Sequence, residues 1–227
     1  MRDPRSLWIV IPAYNEAKAI RAVVSSLRSQ GYPVVVVDDG SADDTAGVAR
    51  DAGAIVLRHL LNLGQGGALQ TGITFCLELG ARYICTFDAD GQHRAEDIAP
   101  MWDRLVAGGF DIVLGSRFLG DARGIPLSRT LLLRAAVLFT RLHSGLKLTD
   151  AHNGLRVMTA EAAARLKLKQ MGMAHASEII DQIAKLGLRY CEAPVSVIYT
   201  EYSKAKGQSA LESIRILMDL IVGRTLR

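Results

Sequence analysis

Three features of this 227-residue chain predict an α/β fold built on a mostly parallel sheet. Short β-branched apolar runs alternate with helical stretches, and each run closes on an Asp- or Gly-rich break. A content of 49% hydrophobic and 22% charged residues provides the core of one globular domain and excludes a disordered chain. The first run, Leu7-Trp-Ile-Val-Ile11, leads into Pro12-Ala-Tyr14-Asn15-Glu16. From Lys18 to Gln30, Ile20, Val23, Val24 and Leu27 share one helical face, and Val34-Val-Val-Val37 then leads into Asp38-Asp39-Gly40-Ser41. This is a strand–helix–strand unit whose unbroken apolar runs suit strands covered on both faces.

A short strand over 54–58 precedes Asn62-Leu-Gly64-Gln65-Gly66-Gly67-Ala68, which opens a helix through Gly72 and Leu77. Backbone N–H groups at that helix start are expected to approach an anionic or polar ligand. It is neither a dinucleotide fingerprint, since Leu69 holds the third glycine position, nor a Walker loop, since no Gly-Lys-Ser/Thr follows. The next strand, from Tyr83, delivers Asp88, Asp90 and Gln92 at every second position. If the chain curls there, two carboxylates and an amide oxygen converge on one hard divalent cation, Mg²⁺ or Mn²⁺. Such an ion completes its shell with phosphates, so a nucleoside diphosphate is the ligand it suits. An isolated pair of this kind also reads as a solvated strand end. Ligands of open α/β sheets bind beyond the carboxyl ends of the strands, which places Tyr14, Asp39 and Asp90 on one crevice. His93 is expected to support the metal site from behind, while His59, His143, His152 and His175 lack ligand spacing.

Taken in order with Gly115-Ser-Arg117, Asp150 through Gly154-Leu-Arg156, and Gly207-Gln-Ser209, these motifs resemble family 2 glycosyltransferases. Within them they resemble the polyprenyl-phosphate (dolichol-phosphate) mannosyl- and glucosyltransferase group, over almost the whole chain. The resemblance implies the A-type glycosyltransferase fold, a Rossmann-like, mostly parallel sheet flanked by helices. It divides the single domain into a nucleotide-binding half (1–93), an acceptor half (94–208) and an amphipathic C-terminal helix (209–227). The implied reaction is inverting, metal-dependent transfer of one sugar from a UDP- or GDP-linked donor to a polyprenyl phosphate. The resemblance puts Pro12, Ala13, Tyr14 and Glu16 on the nucleoside and Asp39 near the base or ribose, with Gly66, Asp88 and Ala89 completing the nucleotide side. Asp88, Asp90 and Gln92 are the implied metal ligands, and Asp90, Arg117 and Arg129 the implied catalytic residues. Asp150, Asn153, Gly154, Arg156 and Glu178 are expected at the sugar or acceptor, Glu178 alternatively as a cap at the start of its helix, with Leu155 where relatives carry an aromatic residue. Lys204 and Lys206 would close over the diphosphate or attract lipid headgroups. Relatives often carry Lys at Gln65 and Pro at Arg94, so Gln65 is assigned to the sugar or base and the loop after the metal motif is expected to be less rigid.

A phosphate acceptor is already ionised near neutral pH, so it requires cations rather than a strong base. A soluble glycan, lipid-linked saccharide or protein hydroxyl would instead need a carboxylate base, with Asp150 or Glu178 the candidates. A non-catalytic sugar-nucleotide-binding or tethering subunit is a third reading. Cys76, Cys85 and Cys191 lack paired spacing and are expected to be reduced core thiols. Met1-Arg-Asp-Pro-Arg5 enters directly into a core strand, so no signal peptide is expected, and no apolar run reaches the roughly 18 residues of a membrane span. A net charge of +4 and two amphipathic stripes point to the cytoplasmic face of a membrane. One stripe is Leu127, Leu131, Ala135, Leu138 and Leu142, and the other Leu211, Ile214, Leu217, Met218 and Ile221. Either stripe alone also fits a helix packed on the core. A small integral membrane partner is compatible with the absence of an anchor, whereas dispersed basic residues argue against nucleic acid.

Overall fold

The computed structural model describes residues 3–120, 122–123, 134–135, 137–138, 140–141, 144–150, 153–172 and 174–198. Its apolar runs become β1 (Leu7–Ala13), β2 (Val34–Asp38), β3 (Ile55–Arg58), β4 (Tyr83–Thr86) and β5 (Ile112–Ser116). After these come β6 (Ala122–Arg123), β7 (Arg156–Thr159), β8 (Tyr190–Pro194) and β9 (Val197–Ile198). Seven of them form one sheet in the order β3-β2-β1-β4-β7-β5-β8, and β6 pairs with β9 beside it. All neighbours in the large sheet run parallel except β7, which is antiparallel to both β4 and β5. Four-residue β7 is too short for its alternation to stand out in the sequence, and it is the strand that brings the second half of the chain into the centre of the sheet.

Helices cover both faces because successive residues of each strand point to opposite sides. On one face, α1 (Ile20–Ser29), α2 (Thr45–Asp51) and α4 (Ile98–Gly108) enclose Ile9, Ile11, Val34, Val36, Cys85, Val113 and Val157. On the other, α3 (Gln65–Glu78), α5 (Ala160–Arg165) and α6 (His175–Leu186) enclose Val10, Val35, Val37, Ile84, Ile112, Leu114 and Met158. The face predicted for α1 is the buried one: Ile20, Val23, Val24 and Leu27 all point inward. Gly72 lets α3 lie close on the sheet, since a Cβ there would strike Val10 and Val37. Truncating a fully buried side chain such as Ile9 to Ala would cost about 2–5 kcal/mol. Cys76 and Cys85 are buried thiols, and burial pushes Cys76 up to about 12, so neither is a ready nucleophile.

The sheet opens where function is expected. β4 pairs with β1 only as far as Val10, whereas β2 follows β1 to Ala13, so Pro12 sits beyond the last β4 pairing where its missing N–H breaks no ladder. β1 and β4 therefore part at their carboxyl ends, and the order of connections reverses at that point. No helix among the described residues is long and apolar enough to cross a membrane. Of the first predicted amphipathic stripe, Ala135 and Leu138 are exposed while neighbouring Val137 and Thr140 are buried. Leu127, Leu131, Leu142 and the whole stripe within 209–227 lie outside the described residues, as do Arg129, Lys204 and Lys206.

Candidate active site

The donor end is shaped by polar side chains that grip backbone. Tyr14 follows β1 with its ring about half exposed, and Asn15 takes a left-handed turn (φ 55°). That turn is clamped by the loop after β2. Asn15 N–H donates to Ser41 Oγ at 2.9 Å, Ala42 N–H to Asn15 Oδ1 at 2.8 Å, and Glu16 N–H to Thr45 Oγ1 at 2.8 Å. Glu16 is thereby buried close enough for its charge to act on Asp90. Asp38 accepts the Ser41 N–H at 3.1 Å and pairs with Arg58 at 3.2 Å, a turn-forming role.

Asp39 is also buried and is engaged within the protein. Its carboxylate accepts N–H groups of Leu63 at 2.9 Å and Gly64 at 2.7 Å, and meets His59 Nδ1 at 2.7 Å. His59 Nε2 meets Thr71 Oγ1 at 3.0 Å, so a histidine without a sequence signal ties β2 to α3. These bonds place Asp39 under the 62–64 loop. Gly66 also departs from its expected role of offering an N–H to the nucleotide. Its N–H donates to the Met171 carbonyl at 2.7 Å, and a Cβ would collide with Gln170 and His175, so this glycine serves close packing between α3 and the 170–172 segment.

Asp88, Ala89 and Asp90 leave β4 at the centre of the opened sheet. The Asp88 carboxylate is held from two sides, by His93 Nε2 at 3.1 Å and by Gln65 Nε2 at 3.3 Å. Gln65, expected at the sugar or base, thus reaches the carboxylate of Asp88. Burial opposes ionisation of Asp88, but the His93 hydrogen bond and the charges of His93, Arg156 and His175 outweigh it and hold the carboxyl below its ordinary value. Asp90 behaves oppositely: burial, reinforced by the neighbouring Asp88 charge, raises it to about 6. Its Oδ1 accepts the Gln92 N–H at 3.0 Å across the positive-φ Gly91. Among the described residues no three His, Cys, Asp or Glu side chains form a ready-made metal cage. Two adjacent carboxylates that repel one another, with Gln92 beside them, nevertheless make an oxygen donor set that a hard divalent cation relieves. The residues fit such an ion.

His93 is buried against Phe87, edge to face at 5.6 Å, and its Nδ1 has no hydrogen-bond partner among the described residues. The loop after the metal motif is tied down, contrary to the expectation from Arg94. Ile198 N–H donates to the Gln92 carbonyl at 2.9 Å, His93 bridges to Val197, and Ser196 N–H donates to Asp97 at 2.7 Å.

The side expected to take the acceptor is a buried charge array. Arg117, just past β5, donates from Nε to Asp150 Oδ2 at 2.6 Å and from its backbone N–H to the same oxygen at 3.1 Å. Arg156 begins β7, paired with Thr86 on one side and Leu114 on the other, and is buried at the middle of the sheet. Burial depresses its guanidinium pKa while the charges of Asp88 and Asp150 support it, so Arg156 stands as counter-ion between the two carboxylates and not on the pocket wall expected of it. Gly154 presses on Asp88, whose carboxylate fills the place of any Cβ at that position, and its carbonyl accepts the Thr86 hydroxyl at 2.6 Å. Asn153 is buried with Oδ1 accepting Leu155 N–H at 2.9 Å, and its Nδ2 has no partner among the described residues. Glu178 lies in the first turn of α6, where its carboxylate accepts the N–H groups of Lys169 and Gln170 at 2.8–3.1 Å, a loop-capping role in place of a sugar contact.

A mostly parallel sheet, helices on both faces and an Asp-Ala-Asp turn at the switch point define the A-type fold of nucleotide-sugar transferases. A structure of glucosyl-3-phosphoglycerate synthase from Mycobacterium tuberculosis, in complex with Mn²⁺ and UDP-glucose, superposes with a TM-score of 0.74 at 20% identity, covering 96% of this chain and 77% of that one. The glycosyl transferase family 2 model matches residues 8–166, and the chain belongs to that family. It is 32% identical to the UDP-N-acetylglucosamine–dolichyl-phosphate N-acetylglucosaminyltransferase of Methanococcus voltae, over 95% of each chain. To the undecaprenyl-phosphate mannosyltransferase of Micrococcus luteus it is 30% identical, over 87% of this chain and 85% of that one.

Proposed function

We propose that this glycosyltransferase moves one sugar from a nucleoside diphosphate to a polyprenyl phosphate at the cytoplasmic face of a membrane. The observation that carries the choice of acceptor is the Arg117–Asp150 pair. A neutral hydroxyl acceptor would need a carboxylate base, yet Asp150 is buried and takes two N–H donors from Arg117, and Glu178 is occupied by Lys169 and Gln170. A phosphate needs no base; it needs a fixed cation, which Arg117 supplies when oriented by Asp150. Dolichyl- and undecaprenyl-phosphate acceptors in the names of two relatives support the same choice.

On the donor side, Tyr14 offers a ring face to the base, and Glu16 lies at the strand end that would receive base and ribose, while Asp39 holds the 62–64 loop. Asp88, Asp90 and Gln92 would hold Mg²⁺ or Mn²⁺, and that ion would neutralise charge growing on the leaving diphosphate. Arg117 then holds the incoming phosphate on the opposite side of the anomeric carbon, so that a single displacement inverts it. Arg129, Lys204 and Lys206 add positive charge to this reading. Membrane contact has further support at the 59–63 loop, where Leu60 is 99% and Leu61 75% exposed. Exposed Leu63 and Met171 flank Gly67 nearby, and Lys167 and Lys169 bring positive charge that complements anionic headgroups.

The test is to incubate the protein with Mg²⁺ or Mn²⁺, UDP- and GDP-sugars and a short polyprenyl phosphate, and to seek the glycolipid by mass spectrometry. A metal-dependent product that falls about 1,000-fold or more in Asp90→Ala is expected. Transfer to a glycan or protein hydroxyl, with none to the lipid phosphate, would replace this reading by the rival acceptor.

A further inference from the structure

Glu192 belongs to none of the motifs, yet the acceptor side is built around it. It lies at the middle of β8, opposite Leu114 at the middle of β5, and is half-buried. Its two oxygens accept the Thr149 N–H at 2.9 and 2.8 Å, and one of them also accepts the Thr149 hydroxyl and the Asp150 N–H, each at 3.0 Å. The Thr149 hydroxyl lies 2.6 Å from Ser116 Oγ, so Ser116 donates to Thr149 and Thr149 to Glu192. A carboxylate drawn partly out of water on a sheet strand is costly unless its lone pairs are filled, and here donors from two consecutive residues fill them. The residues so gripped are the turn that presents Asp150, and Asp150 in turn orients Arg117.

We propose that Glu192 is the positioning residue of the acceptor phosphate site. It fixes the 149–150 turn from β8 while Ser116 fixes it from β5, and the Arg117 guanidinium inherits that geometry through Asp150. The inference rests on the proposed role of Arg117 toward an acceptor phosphate. Glutamine at 192 keeps one acceptor oxygen of two, so Glu192→Gln falls between wild type and Glu192→Ala.

Two measurements test it, with nucleotide binding used to show that each variant is folded. In steady-state transfer, Glu192→Ala is expected to raise the KM for polyprenyl phosphate about tenfold or more while the KM for the sugar nucleotide stays within about twofold. In an Asp150→Ala background the same change is expected to add less than about twofold, because the link it acts through is already gone. Equal effects on both substrates, or a full effect in the Asp150→Ala background, would overturn the proposal. Hydrogen exchange followed by mass spectrometry needs no turnover: faster exchange in the segment carrying Thr149 and Asp150, with the 62–64 loop unchanged, is the expected result. Unaltered exchange there overturns the positioning role whatever the acceptor is. A wild-type enzyme inactive on polyprenyl phosphate but showing that exchange pattern would count against the acceptor reading alone.

Discussion

At the donor end, Ser41, Thr45, Asp39 and Asn15 hold backbone N–H groups of neighbouring loops, with partners 24 to 29 residues apart inside consecutive strand–helix–strand units. At the acceptor end, Arg117 meets Asp150 across 33 residues and Glu192 meets Thr149 across 43, and buried Arg156 faces Asp88 and Asp150. The first arrangement gives a stiff backbone cradle with side chains such as Tyr14 left over for a ligand. The second gives a charge array in which removing one member leaves another buried with less compensating charge. Donor binding is therefore expected to tolerate damage at Arg117 and Asp150, with Gly154 and Arg156 as points where the two ends touch through Asp88.

The sharpest test of that separation is Arg117→Ala. Transfer is expected to fall about 100- to 1,000-fold, and stability by about 3–5 kcal/mol, because buried Asp150 loses the guanidinium that donates to it. Nucleotide binding measured by calorimetry should survive at temperatures where the variant is folded, and its loss would break the comparison. Gly154→Ala probes one of these points. The added methyl displaces the Asp88 carboxylate, so Mn²⁺ affinity in the presence of nucleotide is expected to fall about 10- to 100-fold although the mutated residue lies in the acceptor half. Unchanged metal binding would mean that Asp88 can move without cost.

Proton competition at the metal site gives a smaller, graded effect. The carboxyl of Asp90 is raised to about 6, so the ion-free site carries a proton below that pH and must release it to bind a cation. Metal affinity should be level above about pH 6 and decline by up to about tenfold per unit below it, and the melting-temperature gain from added metal should widen as pH rises through 6. The double variant Leu60→Ser/Leu61→Ser should have the smallest effect. Flotation with anionic liposomes is expected to drop a few-fold, while turnover of a short, water-soluble polyprenyl phosphate stays unchanged.

Much of the donor end was legible because strand, turn and helix follow one another within a few residues. Apolar runs ending in Pro12-Ala13-Tyr14, Asp38-Asp39 and Asp88-Ala89-Asp90 announce parallel strands with polar carboxyl ends, and the inward face of α1 follows from Ile20, Val23, Val24 and Leu27. What escaped is instructive. His59 and Glu192 sit in no recognisable spacing, and Gly66 and Glu178 carry motif-like signals although their bonds go to loop backbone. Arg156 reads as a pocket residue until β7 is inserted antiparallel between β4 and β5, which buries it.

The family, the mostly parallel sheet and the Asp-Ala-Asp turn at its switch point are all readable without coordinates. Those properties are written in local periodicity and in the residue types that end each strand. Folding in three dimensions is what shows which polar groups hold the protein together, as Asp39, Glu178 and Glu192 do. A carboxylate's role depends on the donors that reach it, and for Asp150, Glu192 and Asp88 those donors arrive from segments distant in the chain.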